Sequence, residues 1–471
     1  MRRENVLRAL TTSTRVVLAA VAVVVIVTAV VIGISVPWPS VERAPLSLQQ
    51  APTPSETVAV CPGAVLAAGR VAGDAGALSV AASERVVAGT IDAEHDSDTL
   101  TSVAAPDADG PTIHRVTPTD SEPVALAAAQ SARVTDDDLA GFAAAACTAP
   151  QFESWLVAGS TSTGAADIIL LANADDVAAT VDVTVYTQDG ATLPPGGEDV
   201  VVPAQSQIAL PLSGIARGEL APVVRVQAEG APIAASLQST RTVTLEAVGV
   251  DVSGPSEPPA TEQVIPGLQT VADADPDVAG SITARARLLA PSDDTTATVT
   301  VREVGPDGAE ATPLSVPLEA GIPLELDLPG LAAGQYSIHV EASAPVVSSA
   351  WATTAVAGER DFAWMPSAPL IDDDTVLAVA RASSGVDVSM RVVAADADAE
   401  VVLTPTDGGS PVTLDVPAGA SVAADLPTGG TWTFETTAPV YAAVSYASDE
   451  QLGGYPVQPG PVGASAVRVV P

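Results

Sequence analysis

Four dipeptides, which we call marks, recur three times in the same order along the sequence. Each set consists of Asp-Gly, Val-Pro, Leu-Pro and Ala-Pro, and the sets begin at positions 189, 202, 210 and 231, at 307, 316, 328 and 344, and at 407, 416, 426 and 438. Asp-Gly is typical of tight turns between strands, and Pro is tolerated at strand starts and edges. This order predicts an internal repeat of one kind of folding unit.

The spacing of these marks matches the size of a sandwich domain. Successive Asp-Gly pairs are 307 − 189 = 118 and 407 − 307 = 100 residues apart, close to the roughly 100 residues of an immunoglobulin-like unit. Residues 180–186 and 297–301 alternate as in strands with one buried face. The sequence therefore predicts a mainly β fold of tandem antiparallel β-sandwich (Ig-like) units at residues 151–258, 259–357 and 358–471.

One strand of the repeat carries a recurrent run of residues. Residues 286–290 and 390–394 both place an Arg before two large aliphatic residues and an Ala. We interpret these runs as the same first strand in two units. Residues 467–471 contain a similar run, which predicts that the last strand completes the third unit.

The N-terminal part contains a long apolar run. Residues 16–36 comprise 21 residues without a charge, and a helix of that length spans about 31 Å, close to the hydrocarbon thickness of a bilayer. Arg residues precede the run at positions 2, 3, 8 and 15. The positive-inside bias then predicts a single-pass membrane protein, with a cytoplasmic tail at residues 1–15, a transmembrane helix at 16–36 and the bulk of the chain extracytoplasmic.

The competing interpretation of this run is a cleaved signal peptide. Signal peptides have a shorter apolar stretch of about 7–15 residues that ends in a small-residue cleavage site, and the run has neither feature. The sequence therefore favours an uncleaved signal-anchor. Residues 37–58 are rich in Pro and Ser, which predicts an extended linker beyond the membrane.

Cys61 and Cys147 are the two cysteines of the chain. In an exported, oxidising environment we expect a disulfide bridge between them, and two free buried thiols are the alternative. Both lie in a predicted β-rich region at residues 59–150. Within it, residues 136–146 favour one short helix, because Thr135 is a suitable N-cap and acidic residues occupy the first turn.

Composition limits the partners of this chain. Its 57 acidic residues outnumber 19 basic ones, which gives a formal net charge of −38. Nucleic acids are polyanions whose binding needs clustered cations, so no nucleic-acid partner is expected. All basic residues are Arg, since the sequence contains no Lys, and this excludes a P-loop lysine and a Schiff-base lysine.

The sequence contains no recognisable catalytic or metal-binding motif. His95, His114 and His339 lie in different segments without a partner motif. Acidic residues alternate at positions 92, 94, 96 and 98 and at 273, 275 and 277, but neither series fits the EF-hand template. We therefore predict no enzyme activity, no metal site and no cofactor. Weak calcium binding and a carboxylate pair for glycoside hydrolysis stay open as alternatives.

Five Trp residues are candidates either for the core or for sugar binding. Trp155, Trp351, Trp364 and Trp432 lie in apolar or strand-like runs, so we predict that they are buried. Trp38 lies between two prolines after the apolar run and is predicted at the membrane interface. An exposed groove lined by Trp and carboxylates would instead favour a carbohydrate-binding protein.

Several short motifs resemble those of one family. Residues 61–63, 139–150, 155–159 and 170–173 are similar to an actinobacterial family known only as domain of unknown function five-seven-one-nine. That family has Asn-Pro where this chain has Asn followed by Ala174. The resemblance covers most of the exported chain and implies a membrane-anchored envelope protein. It supplies no catalytic residues.

Taken together, the sequence predicts a non-enzymatic, membrane-anchored scaffold or binding protein of the cell envelope. Its expected partners are the membrane, through the N-terminal helix, and envelope proteins or polysaccharides. The alternative is a carbohydrate-binding or carbohydrate-processing envelope protein.

Overall fold

The structure is a computed structural model. It describes residues 3–35, 48–50, 55–70, 76–106, 109–119, 122–272, 282–305, 308, 313–328, 330–355, 360–461 and 467–469. The chain divides into two compact units, Met1–Pro52 with Ala464–Pro471 and Thr53–Gly463. Strands dominate the regular structure, which confirms the mainly β fold. Trp38 and the acidic residues at 273, 275 and 277 lie outside the described residues.

The first unit contains the predicted N-terminal helix. Helix α1 spans Arg3–Ser35, and its segment Ser13–Ser35 is long and apolar enough to cross a membrane. Strand β1 (Leu48–Gln50) pairs antiparallel with a C-terminal strand, Val467–Val469. The prediction that this last strand completes the third repeat is therefore wrong. The corresponding place there is already occupied by the strand that contains Arg391.

The second unit begins with a region of small antiparallel sheets. Their orders are β2-β8-β6, β10-β9-β5 and β3-β4. The strands up to residue 156 are β2 (Thr57–Val60), β3 (Val65–Ala68), β4 (Leu78–Ala82), β5 (Arg85–Thr90), β6 (Asp96–Thr99), β7 (Thr101–Ser102), β8 (Thr112–Val116), β9 (Leu126–Thr135), β10 (Ala140–Ala146) and β11 (Glu153–Leu156).

The predicted disulfide bridge is present in this region. The sulfur atoms of Cys61 and Cys147 are 1.96 Å apart, and both residues are buried. The backbones of Val60 and Thr148 exchange two hydrogen bonds of 2.9 and 3.0 Å beside the bridge. The bridge therefore joins two segments that the backbone already holds side by side.

Residues 140–146 form strand β10, so the short helix predicted there is wrong. β10 pairs antiparallel with β9, and both of its faces are buried. Phe142 packs in one apolar cluster, and Ala143 packs against Val252 in another. Packing on both faces favours small side chains, and it outweighs the high helix propensity of Ala, which amounts to less than about 1 kcal/mol per residue.

The first large sheet pair comprises residues of β11 to β19. One sheet has the order β11-β17-β13-β14, with β15 beside β13, and the other has the order β19-β18-β12-β16, with β7 parallel to β16. Val181, Val183 and Val185 are fully buried between the sheets, which confirms the predicted alternation in β13. The elements are β12 (Ile168–Asn173), β13 (Ala179–Thr187), β14 (Gly190–Thr192), β15 (Val200–Val202), β16 (Ser206–Pro211), α2 (Leu212–Ile215), β17 (Val223–Glu229), β18 (Ala234–Val243) and β19 (Glu246–Ser253).

The second sheet pair is organised around one long strand. β25 pairs with β20 and β22 along its first half and with β21 and β26 along its second half. Leu288, Val299 and Ile338 are fully buried between the two layers. The strands are β20 (Ala260–Thr270), β21 (Ala284–Leu289), β22 (Thr295–Glu303), β23 (Leu314–Leu318), β24 (Leu324–Asp327), β25 (Gly334–Thr353) and β26 (Phe362–Pro366).

The third sheet pair has the orders β27-β34-β29-β32, with β35 beside β34, and β28-β33-β30-β31. Met390, Val401 and Phe434 are fully buried between these sheets. The strands are β27 (Leu370–Ile371), β28 (Thr375–Ala378), β29 (Asp387–Ala394), β30 (Ala399–Pro405), β31 (Val412–Val416), β32 (Ser421–Asp425), β33 (Thr431–Thr436), β34 (Val440–Ser448) and β35 (Gln451–Pro456).

The Asp-Gly marks that the structure describes fall at turns, whereas Ala344 and Pro345 lie inside the long strand β25. Gly190 lies at the turn between β13 and β14, and Gly408 follows the turn after β30, whereas Asp307 lies outside the described residues. The division into tandem Ig-like domains, with the boundaries given above, stays a prediction.

Two buried Arg residues connect neighbouring sheet pairs. Arg287 on β21 donates hydrogen bonds of 2.8 and 2.9 Å to the carbonyl oxygens of Gly159 and Pro222 in the first sheet pair. Arg391 on β29 donates one of 2.7 Å to the carbonyl of Gly267, which lies on β20 of the second pair. Buried carbonyls need partners, so these two residues of the recurrent first strand satisfy backbone groups of the preceding pair.

Buried carboxyl groups make further connections within this unit. The Asp361 carboxyl accepts backbone hydrogen bonds from Phe142 at 3.0 Å and from Leu452 at 3.2 Å. The Asp251 carboxyl accepts one from Trp364 at 2.7 Å. Burial raises the pKa of Asp251 to about 7 and raises that of Asp361 well above its ordinary value. These bonds help to make residues 53–463 one compact unit.

His114 makes the stability of the fold sensitive to acid. Its side chain is buried on β8, and neither ring nitrogen has a hydrogen-bond partner among the described residues. Burial, with a smaller contribution from His95, lowers the pKa of His114 to about 4. The unfolded chain binds this proton at a higher pH, so the folded state loses stability as the pH falls from about 6.5 towards 4.

We expect His114→Leu to remove this acid sensitivity. When the pH is lowered from 7 to 4.5, the variant should lose about 2 kcal/mol less unfolding free energy than the parent chain, because it has no imidazole to protonate. Urea denaturation at both pH values measures this difference. An equal loss of stability in both proteins on acidification would contradict the assignment.

Candidate functional site

A pocket of about 480 Å³ opens between the first and second sheet pairs. Its walls are the loop of residues 159–165, Leu220, the end of β18, and facing residues of β21, β24, β25 and β26. We call it the inter-sheet pocket. Its volume lies within the range of about 300–1,000 Å³ that is usual for small-molecule sites.

Aromatic side chains form one side of the inter-sheet pocket. Trp351 on β25 lies directly opposite Trp364 on β26, and Phe362 lies on the same strand as Trp364. Trp351 is 7% exposed and Trp364 is 5% exposed, which confirms that both are buried as predicted. Trp155 and Trp432 are also buried.

Three guanidinium groups cover these rings. The carbon of the Arg285 guanidinium is 5.2 Å from the ring centre of Trp351, and that of Arg241 is 5.7 Å from the same ring. The corresponding distance from Arg287 to Trp364 is 4.4 Å. Cations at such distances are attracted to the face of an indole ring.

The strand geometry explains why two of these Arg residues converge. Arg285 and Arg287 are two positions apart on β21, so they point to the same face. Ala286 and Leu288 point to the opposite face, into the core of the second sheet pair. The sequence therefore places the aliphatic residues inside and both guanidinium groups towards the first sheet pair.

Carboxylates on the adjacent strand pair with these Arg residues. In the register of β21 and β24, Asp327 lies opposite Arg285 and Glu325 lies opposite Arg287. The two ion pairs have N–O distances of 2.7 and 2.6 Å, respectively. Burial lowers the pKa of Arg287, and the nearby Glu325 opposes that shift.

Asp167 supports the loop that forms the mouth of the pocket. Its carboxyl accepts backbone hydrogen bonds from Thr240 at 2.9 Å and from Ser160 at 2.6 Å. Burial raises the pKa of Asp167 to about 7, although these hydrogen bonds act in the opposite direction. Gly159 has φ +82°, and a Cβ there would lie 2.6 Å from the Asp167 carboxyl. The loop therefore requires glycine at this position.

The carboxylates of the inter-sheet pocket hold its walls in place. Asp167, Glu325 and Asp327 each accept at least one hydrogen bond from a backbone amide or an Arg side chain. Such bonds orient the walls and balance the charges of the Arg residues.

The residues singled out in the sequence do not converge at this pocket. Cys61 and Cys147 form the bridge described above and do not line it. The rings of His95 and His114 are 5.3 Å apart, and His339 is half-buried on β25. Over the part of the chain that the structure describes, no three His, Cys, Asp or Glu side chains are grouped for a metal.

Sequence reasoning missed Arg241, Asp167 and Glu325 as pocket residues. The available signal was the Arg in the recurrent first strand, which is Arg287. A buried cation within an aliphatic strand needs a charged or polar partner. That partner, Glu325, is 38 residues away, and only the fold brings the two together.

Comparisons with known proteins give one informative match. A search of curated proteins finds no match. Among solved structures, one titled "Structure of PNGF-II in P21 space group" is 9% identical with a TM-score of 0.14, and the alignment covers 61% of this chain and 80% of that one. The structure of infectious bursal disease virus Gt strain is 9% identical with a TM-score of 0.10, covering 90% and 84%. TM-scores this low do not indicate a shared fold.

The match to a family extends over most of the fold. Residues 101–427 match the family described as "Family of unknown function (DUF5719)". This region includes the first two sheet pairs and the inter-sheet pocket. The match covers more than half of the sequence and confirms the resemblance drawn from its motifs, while the actinobacterial origin stays a prediction. The chain therefore belongs to this family of unknown function, DUF5719.

Proposed function

We propose that this chain is a non-enzymatic, membrane-anchored binding protein of the cell envelope, and that it holds a small ligand in the inter-sheet pocket. The observation that carries this proposal is the pocket itself. Its walls are fixed by the buried Arg287, which contacts Glu325, the ring of Trp364 and two carbonyl groups. Preformed walls of this kind reduce the ordering cost of binding.

The N-terminal helix and the disulfide bridge support the envelope location. The helix segment Ser13–Ser35 has the length and composition of a membrane span, and the Arg residues before it favour a cytoplasmic N-terminus. A signal sequence is the alternative role of this helix. The bridge between Cys61 and Cys147 is typical of proteins exposed to an oxidising compartment.

The engaged carboxylates support binding without catalysis. Glycoside hydrolysis needs one carboxyl that protonates the leaving group and a second one that acts as nucleophile or base. In the inter-sheet pocket, the Asp167 carboxyl is bound by two backbone amides, and Glu325 is bound by Arg287. Moving either group towards a substrate would break these bonds.

The carbohydrate alternative is supported by the presence of Trp and carboxylates in one pocket. Stacking of a sugar ring, however, needs an accessible aromatic face. Trp351 and Trp364 are almost fully buried, and guanidinium groups lie over their rings. The pocket therefore suits a ligand that contacts Arg, hydroxyl and aliphatic groups better than one that stacks on Trp.

A binding screen with the full-length chain in lipid nanodiscs tests this proposal. The probes are neutral oligosaccharides, carboxylated sugars and short acyl carboxylates. We expect saturable binding of at least one class, with recovery of the unchanged probe. Thr163→Trp should abolish this binding, because Thr163 lines the pocket and a large side chain would fill it.

Thr296→Trp is the matched control, since Thr296 is exposed on β22, a strand that does not line the inter-sheet pocket. This variant should bind as the parent chain does. Binding that is insensitive to Thr163→Trp would overturn the pocket as the site. Conversion of a probe to product would overturn the non-enzymatic assignment.

A further inference from the structure

Two of the three histidines of this chain meet beside a small sheet. In the register of β6 and β8, His114 lies opposite Ser97, and His95 directly precedes β6, two positions before Ser97. Alternation along a strand therefore brings both imidazoles to the same face. The centres of the two rings are 5.3 Å apart. Neither residue lines the inter-sheet pocket, so this histidine pair is a separate feature of the fold.

His114 is buried without a hydrogen-bond partner. Its side chain belongs to a residue that is 6% exposed, and neither Nδ1 nor Nε2 has a partner among the described residues. A neutral imidazole has one N–H donor and one lone pair. A buried polar group without a protein partner points to a bound water or ion. His95 is partly exposed, so an ion from solvent meets the histidine pair at this outer ring.

The separation of the two rings suits ligands of one metal ion. A metal–nitrogen bond of about 2.0–2.1 Å, with about 1.1 Å from the nitrogen to the ring centre, places each ring centre about 3.2 Å from a shared Zn²⁺. With a tetrahedral angle at the metal, the two ring centres are then about 5 Å apart. The observed distance of 5.3 Å is close to this value. Rotation of the partly exposed His95 side chain can complete the geometry.

Exposed carboxylates surround the outer ring of the histidine pair. The four acidic residues are Asp92, Glu94, Asp96 and Asp98. None of them forms an ion pair with another residue of the described chain. Arg115 lies opposite Asp96 in the register, but its guanidinium pairs with Glu56 at 3.4 Å. This uncompensated negative charge raises the local concentration of cations around His95.

We propose that His95 and His114 bind one divalent late transition-metal ion, represented by Zn²⁺, and that water completes its coordination. Imidazole nitrogen suits Zn²⁺, Cu²⁺ and Ni²⁺, whereas Ca²⁺ and Mg²⁺ prefer oxygen ligands. With two protein ligands, the site binds more weakly than a structural zinc site with four.

This site goes beyond the proposed binding function and does not depend on it. It also departs from the sequence prediction of no metal site. The two histidines are 114 − 95 = 19 residues apart, and the pairing of β6 with β8 brings them together. The acid sensitivity described above for His114 refers to the metal-free chain, so that experiment is performed with a chelator present.

Zinc binding to the full-length chain in zwitterionic lipid nanodiscs tests this inference. The chain is stripped of metal with a chelator, and Zn²⁺ is then titrated at pH 7 in competition with a fluorescent zinc indicator, with empty nanodiscs as the blank. We expect one Zn²⁺ per chain. His95→Ala should weaken binding at least about tenfold, because even the loss of a residue that only orients a metal ligand has an effect of this size.

Two variants serve as controls. His339→Gln removes the third histidine, which lies on β25 in another sheet pair, and it should bind Zn²⁺ as the parent chain does. Glu94→Gln removes one neighbouring carboxylate and keeps both imidazoles. It should weaken Zn²⁺ binding less than His95→Ala does, and its effect should disappear at high ionic strength, because salt screens exposed charges.

Urea denaturation gives a second measurement that a loosely held ion would not affect. Saturating Zn²⁺ should raise the denaturation midpoint of the parent chain and of Glu94→Gln, because the paired imidazoles exist only in the folded chain. It should not raise that of His95→Ala. No saturable Zn²⁺ binding, or binding that His95→Ala leaves intact, would overturn the site. Ca²⁺ binding as tight as that of Zn²⁺ would overturn it as well, since the carboxylates would then hold the ion.

Discussion

Replacing Arg287 with Ala is expected to lower the free energy of unfolding by about 3–5 kcal/mol, the range found when one partner of a buried ion pair is removed. The substitution removes the 2.6 Å ion pair with Glu325, which keeps only its longer pair of 3.7 Å with Arg285. The carbonyl groups of Gly159 and Pro222 are left without their donor. It also removes the guanidinium from the face of Trp364. Denaturant titration followed by tryptophan fluorescence measures the loss.

Arg285→Ala is the matched control for this prediction. Arg285 lies on the same strand and the same face, and its ion pair with Asp327 is partly exposed to solvent. Exposed pairs contribute at most about 1 kcal/mol, so Arg285→Ala should be much less destabilising. Equal effects of the two substitutions would contradict the view that Arg287 is the central contact between the sheet pairs.

Removing the disulfide should have an effect of similar size. The bridge joins residues 86 positions apart. In the chain-entropy model, removing a cross-link that closes a loop of that length lowers the unfolding free energy by about 4–5 kcal/mol. We expect the double substitution Cys61→Ser with Cys147→Ser to lower the unfolding free energy by about this amount. Denaturant titration of the oxidised parent chain and of the double variant gives the difference.

Reduction of the parent chain provides an independent control. If the bridge acts mainly on the unfolded state, the reduced parent chain and the double variant should have nearly the same stability. A loss of less than about 1 kcal/mol in both would show that the backbone pairing of Val60 with Thr148 is sufficient to hold these segments together.

Local sequence patterns predicted those elements that depend on local physics. The apolar run gave helix α1, because a long uncharged segment satisfies its own backbone hydrogen bonds. The alternation in residues 180–186 gave β13, because every second side chain faces the core. The pairing of Cys61 with Cys147 followed from the presence of two cysteines in an exported chain.

The error at residues 136–146 shows where local patterns fail. A run of Ala after acidic residues has the features of a capped helix. In the fold, Ala143 packs on Val252 and Phe142 packs on Tyr446. Small side chains are needed there because other strands cover both faces. Their partners lie about a hundred residues or more away, so no window of sequence contains this information.

The inter-sheet pocket could not be predicted for the same reason. Its residues extend from Gly159 to Trp364, and they meet only because β21 turns its charged face towards the first sheet pair. The sequence indicated that Arg287 belongs to a recurrent strand, but not which residues would accept its hydrogen bonds. The burial of Trp351 and Trp364 was predicted. The stacking of guanidinium groups on their rings was not predicted.

Native mass spectrometry of the full-length chain, purified from its own membranes in a mild detergent, tests the central claim most directly. We predict that the parent chain and Thr296→Trp carry one small molecule per chain and that Thr163→Trp carries none. On prolonged incubation the mass of the released molecule should not change, since we propose that the inter-sheet pocket binds without catalysis. A bound molecule retained by Thr163→Trp, or one converted to a product of different mass, would contradict this account.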